Sequence, residues 1–384
     1  ETECEICWAL KQMSGNILKG DFFTVTSKKE KTCLPLSGNC YLVTDTESTL
    51  RKRMKEDKYY IRSYSKNKPY SGYYVSTKLW VGDYVNGETF EELGQRATGI
   101  ERIAVMRADV DNLGQAFVRG FENEKNGSKY VTLSRTATFS RKLSMFFKYH
   151  INSLLKEGGY SILEEEAQME KEDDRRNALI VYSGGDDIFI VGAWDDIIGF
   201  AVDLHDNLME YSQDTLKISA GIGIYPSKYP ISIMARETGR LEEAAKSVEG
   251  KNAVALFDEK YTFPWEEFIE NVVEEKLYFI QKYFKVVDEK GKNFLYNLLE
   301  LVRKRKEDKI NIARFAYLLG RMEPKVQRGE KKEEIEEKRD LHREFSRKMY
   351  EWIRVEKDAK ELEMAIYLYV YTKREKEEHD GVNE

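Results

Sequence analysis

Short apolar runs and amphipathic stretches alternate through the middle of the chain. Runs with the length and β-branched content of strands cover residues 102–108, 178–182, 188–191, 216–224 and 253–257. Apolar residues recur at helical spacing over residues 133–155, 195–211 and 231–248, and we interpret this stripe in 133–155 as core. The order predicts a β-α-β-β-α-β unit with additions, which is a ferredoxin-like α+β fold.

Upstream of this unit, residues 51–98 are rich in tyrosine and alternate in the manner of short strands, as over 59–64 and 72–76. Tyrosines beside Lys and Arg can stack on RNA bases. The simpler interpretation is that they cover a small sheet. An acidic run over residues 164–174 predicts a solvated surface loop and not a metal site.

Downstream of the unit the pattern changes to helices only, which predicts a helical bundle. The amphipathic segments cover residues 265–284, 293–305, 310–322, 330–355 and 360–373. The sequence therefore predicts three domains. They are a first domain over residues 1–98, the ferredoxin-like domain over 99–261 and the helical bundle over 262–384.

Acidic residues follow two strands that this fold makes neighbours. Asp109 ends the first strand, and Asp186 and Asp187 begin the third. Because these strands pair antiparallel, we expect the three carboxylates to meet at one sheet edge and repel one another unless a cation lies there. Carboxylates gathered in this way are typical of a Mg²⁺ or Mn²⁺ site for phosphoryl transfer.

Glycines and a helix start lie beside these carboxylates. The Gly-Gly pair predicts a tight turn between two strands, because glycine adopts positive φ freely. An isolated turn of this kind is also compatible with a solvated acidic hairpin. A helix starting after Asp111 would point its free N–H groups at the same edge, where a triphosphate fits. The turn is Ser183-Gly184-Gly185-Asp186-Asp187, and the helix start is Asp111-Asn112-Leu113-Gly114.

Four motifs in this order resemble the palm domain of the large subunit of type III CRISPR effector complexes, Csm type. They are Arg107 to Gly114, Ser183 to Asp187, Ile218 to Gly223, and Ala245-Lys246 with Gly250-Lys251-Asn252. GGDEF-type diguanylate cyclases share the fold and the spacing. Asp187 in place of their usual Glu, together with the different flanking domains, favours the CRISPR subunit.

The resemblance implies a metal-dependent nucleotidyltransferase that joins ATP into cyclic oligoadenylate when target RNA is bound. Asp109, Asp186 and Asp187 would be catalytic and would hold Mg²⁺ or Mn²⁺. The nucleotide would contact Asp111, Asn112, Leu113, Gly114, Ser183, Gly184, Gly185 and Lys246 or Lys251. In the cyclases one basic residue at this last motif contacts phosphate, and the spacing here leaves open which lysine does so.

The resemblance also implies partners. They are the small helical subunit, the subunit that binds the CRISPR RNA tag, the CRISPR RNA and the target RNA. Residues 1–98 of this chain resemble the linker domain of the family. In the family an HD nuclease and a first palm precede that domain, and two palms hold two ATP molecules. The chain shows no such segments and begins at Glu1 without methionine, so we expect an internal start and half of a composite site.

Two other functions fit the same residues. The chain could be a standalone cyclase of the diguanylate type that forms a homodimer, which products from GTP and from ATP would distinguish. It could instead be a non-catalytic scaffold with a structural acidic site. Metal-dependent ATP binding separates the scaffold from both enzymes.

The four cysteines cluster near the start of the chain: Cys4, Cys7, Cys33 and Cys40. The spacing of Cys4 and Cys7 is typical of a zinc knuckle. Cys33 and Cys40 are further apart than in a usual ribbon, so one ligand is lost or the loop is enlarged. Structural zinc is the favoured interpretation, reduced thiols or a metal lost in handling are the alternatives, and disulfides are the least favoured.

Composition and charge restrict the type of surface and the cellular location that the chain can have. The charged fraction of 34% and the hydrophobic fraction of 41% allow sizeable cores under a charged surface. A net charge of −6 argues against a uniformly basic RNA-binding surface. Because the chain shows neither a long apolar run nor a secretory signal, we expect a cytoplasmic protein without a membrane partner.

Elemental analysis should find near-stoichiometric zinc in protein prepared without chelator. The double substitution Cys4→Ser with Cys7→Ser should lower the melting temperature of the first domain and leave the palm folded, because structural zinc contributes folding free energy to a small domain. Absence of metal from such a preparation would contradict the prediction.

Overall fold

Two β-sheets organise the strands of this chain. The computed structural model describes residues 3–68, 77–87, 89–122, 127–169, 175–287, 293–306, 308–324 and 332–374. The strands are β1 (Phe22–Thr26), β2 (Leu34–Leu36), β3 (Cys40–Asp45), β4 (Tyr60–Lys66), β5 (Thr77–Leu79), β6 (Ile103–Val110), β7 (Ala178–Ser183), β8 (Asp187–Ala193), β9 (Ile218–Tyr225), β10 (Ala253–Leu256) and β11 (Thr262–Pro264).

Helices occupy the segments with helical spacing and also parts of the chain where no helix was predicted. They are α1 (Glu5–Lys19), α2 (Glu47–Glu56), α3 (Phe90–Arg96), α4 (Leu113–Arg119), α5 (Leu133–Met145), α6 (Ile151–Lys156), α7 (Glu165–Met169), α8 (Trp194–Ser212), α9 (Ile231–Lys246), α10 (Tyr278–Val286), α11 (Asn293–Lys304), α12 (Ile310–Gly320), α13 (Lys332–Arg354) and α14 (Glu356–Lys373). Glu47–Glu56 and Phe90–Arg96 are helical, although they overlap the stretch 51–98 in which short strands were predicted. Phe146–His150 and Glu267–Leu277 are π-helical.

The chain divides into two compact units. The first contains Glu1–Asp83, Leu133–Asn152 and Ser183–Gly185. Its sheet has the order β2-β3-β1-β4-β5. The predicted stripe in 133–155 is buried, as shown by Phe146 and Phe147. Most of this helical region groups with the first unit, whereas the sequence analysis placed it in the palm.

Asn152 fixes part of the first unit. Its carboxamide oxygen accepts a hydrogen bond from the N–H of Asp83 at 2.9 Å, and its amide nitrogen donates to the carbonyl of Val81 at 2.9 Å. The rings of Trp80 and Tyr149 lie 4.6 Å apart, centroid to centroid. These contacts explain why this helical region belongs to the first unit.

The cysteines of the first unit occupy different environments. Cys4 and Cys7 are exposed, Cys33 is buried and Cys40 is half-buried. The hydrogen bond between the thiols of Cys4 and Cys7 lowers the pKa of Cys4. The Cys33 thiol donates to the carbonyl of Glu30 at 3.1 Å. Within the described ranges no three His, Cys, Asp or Glu side chains form a group that could hold a metal ion. Zinc ligation by the four cysteines stays a prediction.

The second unit contains the six-stranded sheet, in the order β11-β10-β9-β6-β8-β7. The central strand β6 pairs antiparallel with β8 on one side and with β9 on the other. Its residues Ile103–Met106 are fully buried, as expected for a strand covered on both faces. The predicted β-α-β-β-α-β order and the antiparallel first and third strands are confirmed.

One predicted loop is wrong in part. Within the acidic run 164–174, Glu165–Met169 form α7. Its residues are mostly strong helix formers, and the Gln168 side chain donates to the carbonyl of Leu163 at 2.7 Å. Residues 170–174, and the tyrosine-rich stretch 72–76, lie outside the described residues.

Helix α14 connects the helical bundle to the sheet within the second unit. The N–H of Ile100, just before β6, donates to the carbonyl of Tyr371 at 2.9 Å. A buried ion pair joins Lys276 to Glu361 of α14 at 2.6 Å. No helix in the described part of the chain has the length and apolar character needed to cross a bilayer.

Close packing of α9 against β9 requires glycine at position 221. A Cβ there would lie 2.4 Å from the backbone nitrogen of Glu242 and 2.6 Å from the carbonyl oxygen of Thr238. Both are backbone atoms of α9, so no side-chain rotation can make room. The absence of a side chain at Gly221 therefore fixes the distance between helix and strand.

Gly221→Ala should destabilise the second unit by about 1–3 kcal/mol or more, because the methyl group forces α9 away from β9. Urea unfolding monitored by circular dichroism measures this loss. Gly320→Ala is the matched control, since a Cβ at Gly320 in α12 meets no atom within 4 Å. Equal midpoints for the two variants would contradict the packing argument.

Candidate active site

The pairing of β6 with β8 brings the predicted carboxylates together. Asp109 lies directly opposite Asp187 in the antiparallel register. The N–H of Val110 donates to the carbonyl of Asp186 at 3.1 Å, which places Asp186 beside the same strand end. The expected convergence of Asp109, Asp186 and Asp187 on one sheet edge is confirmed.

The carboxylates at this sheet edge repel one another. Burial raises the pKa of Asp186, and the charges of Asp109 and Asp187 raise it further, while the ammonium of Lys246 acts in the opposite direction. The negative charge of Asp187 likewise raises the pKa of the Tyr182 phenol. A cation is therefore favoured at this position.

Lys246, at the end of α9, supplies a positive charge to this edge. Its ammonium group donates to the carboxylate of Asp109 and, at 2.8 Å, to Glu242 one helical turn earlier. Burial opposes the charge of Lys246, but its hydrogen bonds to Asp109 and Glu242 raise its pKa above the ordinary value. Lys246 is therefore a charged counter-ion of the carboxylate group.

Arg107 extends the site along β6. It lies two residues before Asp109, so both side chains leave the same face of the sheet. Its Nε atom lies 3.2 Å from Glu242 Oε2. Together these groups line a cleft of 610 Å³. The lining residues are Arg107, Ala108, Asp109, Tyr182, Asp186, Asp187, Ile188, Phe189 and Glu242.

The carboxylate of Asp111 faces protein donors. It accepts from the hydroxyl of Ser219, 2.9 Å from each oxygen, and from the N–H of Asn252 at 2.9 Å. Asp111 is 6% exposed. These contacts give Asp111 a part in joining the end of β6 to β9 and to the loop before β10.

The predicted helix start is present after Asp111. Asn112 has φ 54° and is followed by α4, which begins at Leu113. The side chain of Lys251 donates to Asn112 Oδ1 at 2.8 Å, so Lys251 holds this loop. A Cβ at Gly114 would meet no atom within 4 Å. Lys246 and Lys251 therefore contact different groups, one a carboxylate and the other the loop.

Ser183, Gly184 and Gly185 belong to the first unit. The Ser183 hydroxyl donates to the carbonyl of Phe147, and a Cβ at Gly185 would lie 3.5 Å from the hydroxyl of Ser144. The φ of Gly185 lies outside the left-handed region. The expected need for positive φ is therefore wrong at Gly185.

The residues fit a divalent metal only in combination with a substrate. In the described part of the chain no three His, Cys, Asp or Glu side chains form a metal-binding group by themselves. Mg²⁺ is commonly held by one or two carboxylates together with substrate phosphates and waters. Asp109, Asp186 and Asp187 supply hard oxygen donors of this kind, whose mutual repulsion a divalent cation would relieve.

Sequence reasoning assigned no role to two members of the site, Glu242 and Arg107, although Arg107 stands at the start of the first motif. Glu242 precedes Lys246 by four residues on one helix, which is the spacing of an ion pair. Arg107 precedes Asp109 by two residues on one strand, which places both on one face. Both signals were present in the sequence, but their meeting depends on how α9 lies on the sheet.

Comparisons with known families agree with this architecture. Residues 102–255 match the model of the Cas10/Cmr2 second palm domain. Residues 281–375 match that of the second helical domain of the Cmr2 subunit of the CRISPR RNA silencing complex. The matched segments correspond to strands β6 to β10 of the six-stranded sheet with their helices and to most of the helical bundle.

A curated relative is the CRISPR system single-strand-specific deoxyribonuclease Cas10/Csm1 (subtype III-A) of Mycobacterium tuberculosis. It is 42% identical over 381 residues, which are 98% of this chain and 45% of the relative. The chain therefore spans about half the length of the curated relatives it matches.

Solved structures show the same fold. A Csm1–Csm4 cassette in complex with one ATP matches with a TM-score of 0.62 and 24% identity, covering 94% of this chain and 50% of that one. A cassette in complex with cA4 matches with a TM-score of 0.63 and 22% identity, covering 92% and 49%. Both family models and the M. tuberculosis relative agree, and the chain belongs to the Cas10/Csm1 family of type III-A CRISPR large subunits.

Proposed function

We propose that this chain supplies one palm of a two-palm cyclase, which converts ATP to cyclic oligoadenylate by metal-dependent 3′–5′ nucleotidyl transfer when target RNA is bound. The observation that carries the proposal is the register of β6 and β8, which gathers Asp109, Asp186 and Asp187 beside the ammonium of Lys246. Three carboxylates in one cleft, with a lysine that donates to one of them, suit a metal-bound polyphosphate.

The relatives support the choice of nucleotide. The Csm1 structures that share this fold were solved with one ATP and with cA4. The name of the M. tuberculosis relative gives a deoxyribonuclease activity for that longer protein. We propose nucleotidyl transfer, and not nuclease chemistry, for the cleft at β6 and β8.

In this proposal, Asp109 and Asp186, with Asp187 close by, hold Mg²⁺ or Mn²⁺. The metal would supply charge neutralisation at the α-phosphate and the departing pyrophosphate. Lys246 exchanges its contact with Asp109 for one with phosphate. The loop Asn112 to Gly114, held by Lys251, borders the triphosphate, and Asp111 fixes that loop.

We keep two further assignments as predictions. Ser183, Gly184 and Gly185 would contact the nucleotide, and the four cysteines would bind zinc. Partners are proposed on the same basis. They are a Csm4-type subunit, as in the solved cassettes, together with the small helical subunit, CRISPR RNA and target RNA.

Asp186→Asn should raise the melting temperature of the metal-free protein at neutral pH and abolish nucleotide-dependent Mg²⁺ binding. The pKa of Asp186 is raised in the fold, so its charged form destabilises the native state. The loss of stability from the charged Asp186 is complete at a pH above the pKa of Asp186 in the folded protein. It disappears at a pH below the pKa of Asp186 in the unfolded chain, which is about 4.

Thermal melting against pH measures the first effect and calorimetry with MgATP the second. Glu249→Gln, an exposed change outside the cleft, is the matched control and should alter neither quantity. A loss of several kcal/mol of stability in Asp186→Asn would mean that the acidic turn is structural, and the catalytic proposal would lose its main support.

The chain alone should bind ATP but form cyclic oligoadenylate only when a second palm is supplied. Bond formation needs the 3′-hydroxyl of a second ATP in line with the α-phosphate of the first. Such alignment lowers the barrier by on the order of 7 kcal/mol or more. Mass spectrometry of ATP products, with and without the remaining portion of a Cas10/Csm1 protein, measures the difference.

Product formation against protein concentration provides the control. A homodimer formed through the cleft face would restore some synthesis, with a rate that rises more steeply than the protein concentration. Rapid synthesis by dilute monomeric chain would show that one palm is sufficient.

A further inference from the structure

Two cations share one buried carboxylate beside the cleft. Glu242 Oε1 accepts from the ammonium of Lys246 at 2.8 Å, and Glu242 Oε2 lies 3.2 Å from Arg107 Nε. Glu242 itself is only 8% exposed. A buried carboxylate with one cation at each oxygen is fixed from both sides.

The backbone around Glu242 is built to hold this arrangement. Its own amide nitrogen lies against Gly221, where any side chain would collide with α9. Gly221 is also the cross-strand partner of Arg107. A Cβ at Gly239, one turn earlier on α9, would lie 2.9 Å from a terminal nitrogen of the Arg107 guanidinium. Two glycines thus leave room for the helix and for the guanidinium.

The charges alternate from Arg107 through Glu242 and Lys246 to Asp109. A divalent metal held by Asp109 would compete with the ammonium of Lys246 for the same carboxylate. If Asp109 were the only partner of Lys246, metal binding would release a flexible side chain into solvent. Glu242 keeps the ammonium within the cleft after that exchange.

We propose that Glu242 is a positioning residue that holds Lys246 and Arg107 as a pair of cations facing the polyphosphate of the substrate. This inference rests on the proposed function, because it assumes that a metal-bound nucleotide occupies the cleft. Arg107, whose side chain is 41% exposed, is then a second phosphate contact.

The proposal predicts an effect opposite in sign to simple electrostatics. Glu242→Gln removes a negative charge from a site for an anion, which by charge alone should tighten nucleotide binding. Loss of positioning should instead weaken binding, by about tenfold for one displaced charge-assisted contact. The sign of the change therefore distinguishes the two explanations.

The experiment is calorimetric titration of the full chain with α,β-methylene ATP and Mg²⁺, an analogue that cannot react at the α-phosphate. Glu243→Gln is the matched control, since it neutralises the exposed neighbour of Glu242 and should leave affinity unchanged. Arg107→Met should also weaken binding, with the exposed Arg236→Met as its control. The double variant Glu242→Gln with Arg107→Met should lose less affinity than the sum of the two single losses, because each single change already removes the contact between Glu242 and Arg107.

Each outcome has a defined meaning. Unchanged or tighter binding by a folded Glu242→Gln variant, or strictly additive losses, would overturn the inference while the proposed function stands. Failure of the unmodified chain to bind the analogue would overturn the proposed function itself. If thermal melting shows that Glu242→Gln does not fold, Glu242→Asp replaces it. Its shorter carboxylate cannot hold both cations, so its affinity should also fall.

Discussion

Like-charge repulsion at the paired ends of β6 and β8 is the constraint around which the second unit is arranged. The ladder holds Asp109 opposite Asp187, and a backbone hydrogen bond ties Asp186 to the same end. The carboxylates cannot separate without breaking sheet hydrogen bonds, so a positive charge has to come to them. In the protein alone Lys246 provides it, and in the proposed reaction a metal ion does.

The position of that lysine depends on a residue that has no side chain. Gly221 allows α9 to lie directly on β9, and this contact sets how far the end of the helix reaches toward β6. A larger residue would move Glu242 and Lys246 together, because both lie on the same rigid helix. The packing of α9 on β9 thereby sets where the positive charge lies among the carboxylates.

The sequence predicted strands β6 to β10, the antiparallel pairing of the first with the third, and the meeting of Asp109 with Asp186 and Asp187. Short apolar runs locate these strands, and the β-α-β-β-α-β order determines which strand ends are neighbours. Side-chain direction at the strand ends was harder to predict. Asp111 follows Asp109 by two residues, yet its carboxylate accepts hydrogen bonds from Ser219 and Asn252.

The roles of Arg107 and Glu242 were missed for a related reason. Arg107 lies two residues before Asp109, and Glu242 lies four residues before Lys246. Arg107 and Glu242 themselves are 135 residues apart in the sequence. Whether they meet depends on the helix phase and on the close approach at Gly221. Single-sequence patterns carry no information on either quantity.

The change of pattern after residue 261 marks a change in the type of element, and contacts continue across it. Strand β11 extends the sheet beyond that point, and the carbonyl of Tyr371 in α14 accepts the N–H of Ile100 before β6. Lys276 and Glu361 are buried together between the π-helix and α14. Removing either side chain would leave the other as an uncompensated buried charge. A displacement of α14 would therefore be transmitted to the start of β6, the strand whose other end carries Asp109.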